Sequence, residues 1–107
     1  MIEKKYMKSR RMFKITFVVP EDELPPDTEV TSVVVAGSFN GWSLTADALA
    51  YTKSAKAWKG SVDLAPGSRA EFRYVANGNR WFNDWDADGY VSVGGGVDNC
   101  VVVVPSA

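Results

Sequence analysis

From Phe13 to Val18 the chain alternates, with Phe13, Ile15 and Phe17 on one parity and Lys14, Thr16 and Val18 on the other. That period of two predicts an extended segment with three large side chains on one face. The turn-rich run from Pro20 to Asp27, with Pro25-Pro26, breaks it. Val30 to Ala36, rich in β-branched residues, predicts a strand buried on both faces and ending at Gly37. Trp58, Val62 and Leu64 share one parity, and Lys59, Ser61 and Asp63 the other, so a half-buried strand is expected there, closed by a Pro66-Gly67 turn. Phe72, Tyr74 and Ala76 are expected inward, and Glu71, Arg73 and Val75 outward. Asn77-Gly78-Asn79 supplies residues that tolerate positive φ and predicts a hairpin, with Arg80 to Phe82 pairing back on its neighbour. After Gly94-Gly95-Gly96, Asn99 to Val104 is the closing strand, stopped by Pro105. Thr45 to Tyr51 admits a turn of helix, and no longer window has helical spacing.

Turns at this spacing predict an all-β chain, an immunoglobulin-like β-sandwich of about six to eight strands. A length of 107 residues fits one domain, residues 1–107, and a core that needs no disulfide or metal staple. Residues 1–11 read as a basic N-terminal arm, because Lys4, Lys5, Lys8, Arg10 and Arg11 precede the acidic stretch of Glu21, Asp22, Glu23, Asp27 and Glu29.

Composition narrows the chemistry. With no histidine, the usual triads and imidazole metal sites cannot be assembled from this chain. The single Cys100 leaves no internal disulfide and no thiolate zinc site. Twelve Lys+Arg against 13 Asp+Glu provide no general field for nucleic acid, so no nucleic-acid partner is expected. Met12 to Val19 is short, alternates, and contains Lys14 and Thr16, which argues against a signal peptide. No apolar run of about 18 residues is present for a membrane span, so no membrane partner is expected and the default compartment is the cytoplasm.

Three motifs suggest chemistry and fail on inspection. Asp84-Trp85-Asp86-Ala87-Asp88-Gly89 matches the first half of a calcium loop, but Gly95 stands where the bidentate glutamate belongs; the segment reads as an acidic turn capping its own amides. Glycoside hydrolysis needs one protonated and one ionised acid across a sugar bond, and acids in a solvated turn have nothing to split their pKa values. Gly94-Gly95-Gly96 lacks the lysine of a phosphate loop and precedes a strand. No catalytic residue, metal or cofactor is expected.

The aromatic residues carry more information. Trp42, Trp81 and Trp85 lie in turns or at strand ends, where a ring can stay exposed, whereas Trp58 has the parity of a core residue. An exposed indole presents a flat face to the axial C–H face of a glucose ring, with neighbouring Asn, Arg or Lys bonding its hydroxyls. The plainer reading of any single tryptophan at such a position is that it plugs an end of the sandwich.

Val33-Val34-Val35-Ala36-Gly37-Ser38-Phe39-Asn40-Gly41-Trp42, then Leu64-Ala65-Pro66-Gly67, Phe72-Arg73-Tyr74-Val75 and Asn77-Gly78-Asn79-Arg80-Trp81, resemble the glycogen-binding domains of the isoamylase early-set type, carbohydrate-binding module family 48. The likeness covers about residues 30–104. It implies an early-set sandwich with Trp42 and Trp81 as stacking platforms, Arg73 at the basic sugar-contacting position and Asn99 at the polar position entering the last strand. Phe39 falls on a packing position. Arg73 replaces the lysine of kinase-associated relatives, and after Ser92 the loop to Val97 offers only Gly and Val where those relatives clasp glucan with a bulky apolar side chain. Parity also makes Arg73 and Trp81 cross-strand neighbours.

The resemblance implies a non-catalytic module for α-1,4-linked glucan or maltooligosaccharide; two stacked rings with a few water-exposed hydrogen bonds should give a dissociation constant of about 10 μM to 1 mM. A second class of reading is a protein-interaction or regulatory module. Its aromatic patch would then meet a glycogen-metabolising enzyme, or edge strands near the basic start would pair with a second copy. A glycosidase or branching activity ranks last.

Overall fold

The computed structural model describes all 107 residues, Met1–Ala107. The chain is all-β and antiparallel. Nine strands follow in order, β1 (Ile2–Met7), β2 (Met12–Pro20), β3 (Val33–Gly37), β4 (Ala48–Thr52), β5 (Ala57–Leu64), β6 (Arg69–Ala76), β7 (Arg80–Phe82), β8 (Gly89–Ser92) and β9 (Asp98–Val103), with one turn of 3-10 helix at Glu21–Glu23. No helix is long and apolar enough to cross a membrane.

The strands form one curled sheet in the order β1-β2-β5-β4-β3-β6-β9-β8, with β7 attached to β6. Strand β4 turns the corner. Its Ala48 and Leu49 pair with β3, while Ala50, Tyr51 and Thr52 pair with β5. Thr45 to Tyr51 is therefore no helical turn: hydrogen bonding on both sides overrides the weak local preference of Ala-Leu-Ala. Gly60 packs against the corner: a Cβ there would sit 2.6 Å from Leu49 Cδ2 and 3.3 Å from the Ala48 carbonyl oxygen, so a larger residue would require the Leu49 side chain to shift.

The curl brings β2 over β6. Phe17 lies with its ring centroid 4.9 Å from that of Phe72 and 6.3 Å from that of Tyr74. Phe13, Ile15, Phe17 and Val19 meet Val33, Val35, Phe72, Tyr74, Cys100 and Val102 in a single buried cluster, so the alternation read in β2 and β6 is the alternation of the core. Val18 and Val75 depart from it, being buried on the outward parity. Trp58 packs partly buried against the core.

Two ends differ from expectation. The third strand starts at Val33 rather than Val30, because the Asn77 side chain captures the segment before it: Oδ1 accepts from the Thr31 and Ser32 amides, and Nδ2 donates to the Glu29 carbonyl. The basic arm is a strand, paired with β2 from Ile2↔Phe17 to Met7↔Met12. Its flank reaches the turn between β7 and β8 through a Met1 amine to Asp84 pair at 2.8 Å and a Lys4 to Asp88 pair at 2.7 Å. Charged contacts of this kind blunt an edge that would otherwise be free to pair with another chain.

Candidate functional site

The Gly37-Ser38-Phe39-Asn40-Gly41-Trp42 segment is the loop that leaves β3, and each residue has a geometric reason to be there. A Cβ on Gly37 would lie 2.6 Å from Phe39 Cε2 and 2.7 Å from the Glu71 carbonyl oxygen. Ser38 hooks onto β6, its amide donating to the Glu71 carbonyl at 2.9 Å and its Oγ accepting from the Glu71 amide at 3.1 Å. Phe39 stacks on Phe17 with centroids 5.9 Å apart, anchoring the loop in the core.

Asn40 uses its whole amide. Oδ1 accepts from the Gly37 and Ser43 amides at 3.0 and 3.2 Å, and Nδ2 donates to the Val35 carbonyl at 3.0 Å and to Asp47 Oδ2 at 2.7 Å. The loop can then turn back through two successive left-handed residues, Gly41 at φ 66° and Trp42 at φ 60°. Trp42 holds this conformation although it carries a Cβ, a cost that the Asn40 contacts and its own 2.9 Å hydrogen bond to the Gly37 carbonyl offset.

The second tryptophan arrives from the hairpin. Asn77 at φ 55° and Gly78 at φ 77° form the turn between β6 and β7. The register sets Trp81 directly opposite Val75, with Arg73 one diagonal step away rather than directly opposite. The diagonal suffices for contact: Arg73 Cζ stands 5.5 Å from the centroid of the Trp81 ring. Arg73 Nε donates to Asn83 Oδ1 at 2.8 Å, and Asn83 Nδ2 donates to the Asp98 carbonyl at 2.9 Å. The guanidinium is thus aimed, with its terminal nitrogens available.

Asn99 lies in β9, opposite Val91 of β8 and next to Cys100, which pairs with Phe72 of β6. Its Nδ2 donates to Glu71 Oε1 at 3.1 Å, which leaves Oδ1 as an acceptor. All four residues singled out in the sequence, Trp42, Arg73, Trp81 and Asn99, line one open depression of about 370 Å³ on the face of β6 and β9 turned away from the core. Trp42 is half-buried and Trp81 is 38% exposed.

The remaining lining residues are Val93 and Val97. Residues 92–97 therefore do contribute apolar surface. The loop closes on itself, the Val93 amide donating to the Val97 carbonyl at 2.9 Å, and Gly94, Gly95 and Gly96 all take positive φ to let it turn. Val93 is 53% exposed and Val97 37%. The three consecutive glycines were the only available sign of such a tight loop.

The acidic turn is structural. Asp84 is buried, not solvated: Oδ2 accepts from the Tyr74 hydroxyl at 2.6 Å and Oδ1 from the Asp86 amide at 2.7 Å. Asp88 points elsewhere, accepting from Lys4 and from the Val103 amide. Burial, aided by the Asp84 charge, holds the Tyr74 phenol well above its ordinary range, and burial pushes the Cys100 thiol up to about 11. A larger depression, about 580 Å³, lies around Leu24, Pro25, Val30, Tyr51 and Trp58, away from these polar groups.

No protein-family model matches this chain, and no curated protein matches it.

Proposed function

We propose that the chain is a non-catalytic module that binds α-1,4-linked glucan, a member of carbohydrate-binding module family 48 whose curled sheet is an immunoglobulin-like early-set sandwich. One observation carries the reading. Two tryptophans, one from the loop after β3 and one from β7, an aimed guanidinium and an amide with a spare acceptor line the same open depression. Indole faces take the apolar faces of glucose rings, while Arg73 and the Asn99 Oδ1 meet hydroxyls at the edge. These side chains stack and hydrogen-bond; their chemistry is recognition rather than proton transfer. Val93 and Val97 form an apolar rim that partly replaces the bulkier clasp of kinase-associated relatives.

The depression is shallow and wet, so a dissociation constant of about 10 μM to 1 mM for maltoheptaose is expected. Tryptophan fluorescence titrated with maltoheptaose reads the contact directly. Trp42→Ala and Trp81→Ala should each lose retention on glycogen with an unchanged circular dichroism spectrum; unchanged retention by both variants overturns the proposal.

The exposed apolar side chains Trp81, Val93 and Val97 also fit the second reading, docking of a protein or a second copy. Sedimentation with and without maltooligosaccharide separates the two, because association through this patch would compete with sugar.

A further inference from the structure

Trp81 borders two depressions. The first is the one shared with Trp42; the second, about 320 Å³, has Trp81 in common with it and is lined by Glu23, Pro25, Pro26, Arg80 and Trp85 among others. Trp85 is the most exposed large apolar side chain of the chain, 68% exposed. A single exposed indole needs no explanation by itself. This one is different in being held on a fixed backbone beside a depression that shares Trp81 with the first.

The fixing is specific. The Trp85 amide donates to Glu23 Oε1 at 3.4 Å. The preceding residue, Asp84, is buried and bonded to Tyr74, and the Tyr90 hydroxyl donates to the Asp84 carbonyl at 2.6 Å. The ring is therefore presented to solvent from a rigid turn, an arrangement that lowers the ordering cost of binding. Polar groups stand at the edge: the Arg80 guanidinium, paired with Asp27 at 3.0 Å, and the carboxylate of Glu23.

We propose that the glucan path crosses Trp81 and continues over Trp85 into the depression that Pro25 and Pro26 help to line, so that Trp85 is the platform of a second subsite and the module discriminates by chain length. This rests on the glucan-binding reading. Each depression is at the small end of the range for ligand sites, enough for a short oligosaccharide, and their shared wall at Trp81 makes the occupant of one the natural occupant of the other.

Calorimetric titration of the full chain with maltotriose and with maltoheptaose tests it. The unmodified protein should bind the heptaose about tenfold more tightly than the triose, the size of one added stacking contact. Trp85→Ala should leave maltotriose affinity unchanged and remove that gain, and Trp85→Phe should restore part of it. If Trp85→Ala binds maltoheptaose as tightly as the unmodified protein, or weakens both sugars equally, the second subsite is refuted while the first stands. If the unmodified protein binds neither sugar, the underlying glucan reading fails, and this inference with it.

Discussion

The left-handed backbone at Trp42 gives a test whose sign is opposite to intuition. Replace the residue by alanine or by glycine: both remove the indole and its packing, so the difference between the variants isolates the backbone. At φ 60° a residue with a Cβ carries about 1–2 kcal/mol of strain that glycine does not. Glycine's freer unfolded chain takes back about 0.4–1 kcal/mol. Trp42→Gly should then be more stable than Trp42→Ala by about 1 kcal/mol, or about 4 °C in Tm for a domain of this size. Urea denaturation followed by circular dichroism measures the difference. Trp81 provides the control, because it lies in β7; there Trp81→Gly should be less stable than Trp81→Ala by about 0.5–1 kcal/mol. The same order at both positions would refute the claim that Trp42 is held in a strained conformation by its loop. Both Trp42 variants should lose glycogen retention equally, since the strain has no bearing on the missing ring.

Asn40→Ala removes four hydrogen bonds at once and should cost about 2–4 kcal/mol while loosening the loop that carries Trp42, measured as lowered stability together with weakened sugar binding. Gly37→Ala drives a methyl group into the Glu71 carbonyl and the Phe39 ring and should cost about 1–3 kcal/mol by denaturant titration; a neutral result would show that β3 and β6 can separate there freely. Alkaline pH should destabilise the fold. The Cys100 thiol keeps its proton to about 11 when folded and to 9.0 otherwise, so its contribution is full below pH 9.0 and is lost as pH rises through about 11, by about 3 kcal/mol at most. Tyr74, also raised, acts in the same direction. Stability that stays flat from pH 8 to 10.5 would contradict this.

Parity carried the sequence reading furthest where one face is buried and the other wet. Phe13, Ile15 and Phe17 in β2, and Phe72 and Tyr74 in β6, sit in the core as their alternation requires. Turn chemistry was equally readable at Pro66-Gly67 and at Asn77-Gly78, where positive φ is needed. What escaped was set by distant partners. Strand β4 has no β-branched residue before Thr52 and exists because β3 and β5 flank it. Strand β8 is hidden behind an acidic stretch, and β1 behind its lysines. Asp84 has the look of a solvated acid because the Tyr74 hydroxyl that satisfies it lies ten residues away, on β6. Trp42, Arg73, Trp81 and Asn99 were readable as candidates; that Val93 and Val97 join them depends on a loop closure whose one sign in the sequence is Gly94-Gly95-Gly96.

Strand β4 gives its first residues to one flank of the sheet and its last to the other, which leaves no seam along which the molecule could come apart in two self-sufficient pieces. Neither flank can keep its interior dry without the other. Melting is accordingly expected to be all-or-none, whether followed at Trp58 or at Trp81, and any compound seated between Trp42 and Trp81 should raise the transition temperature seen by both reporters alike.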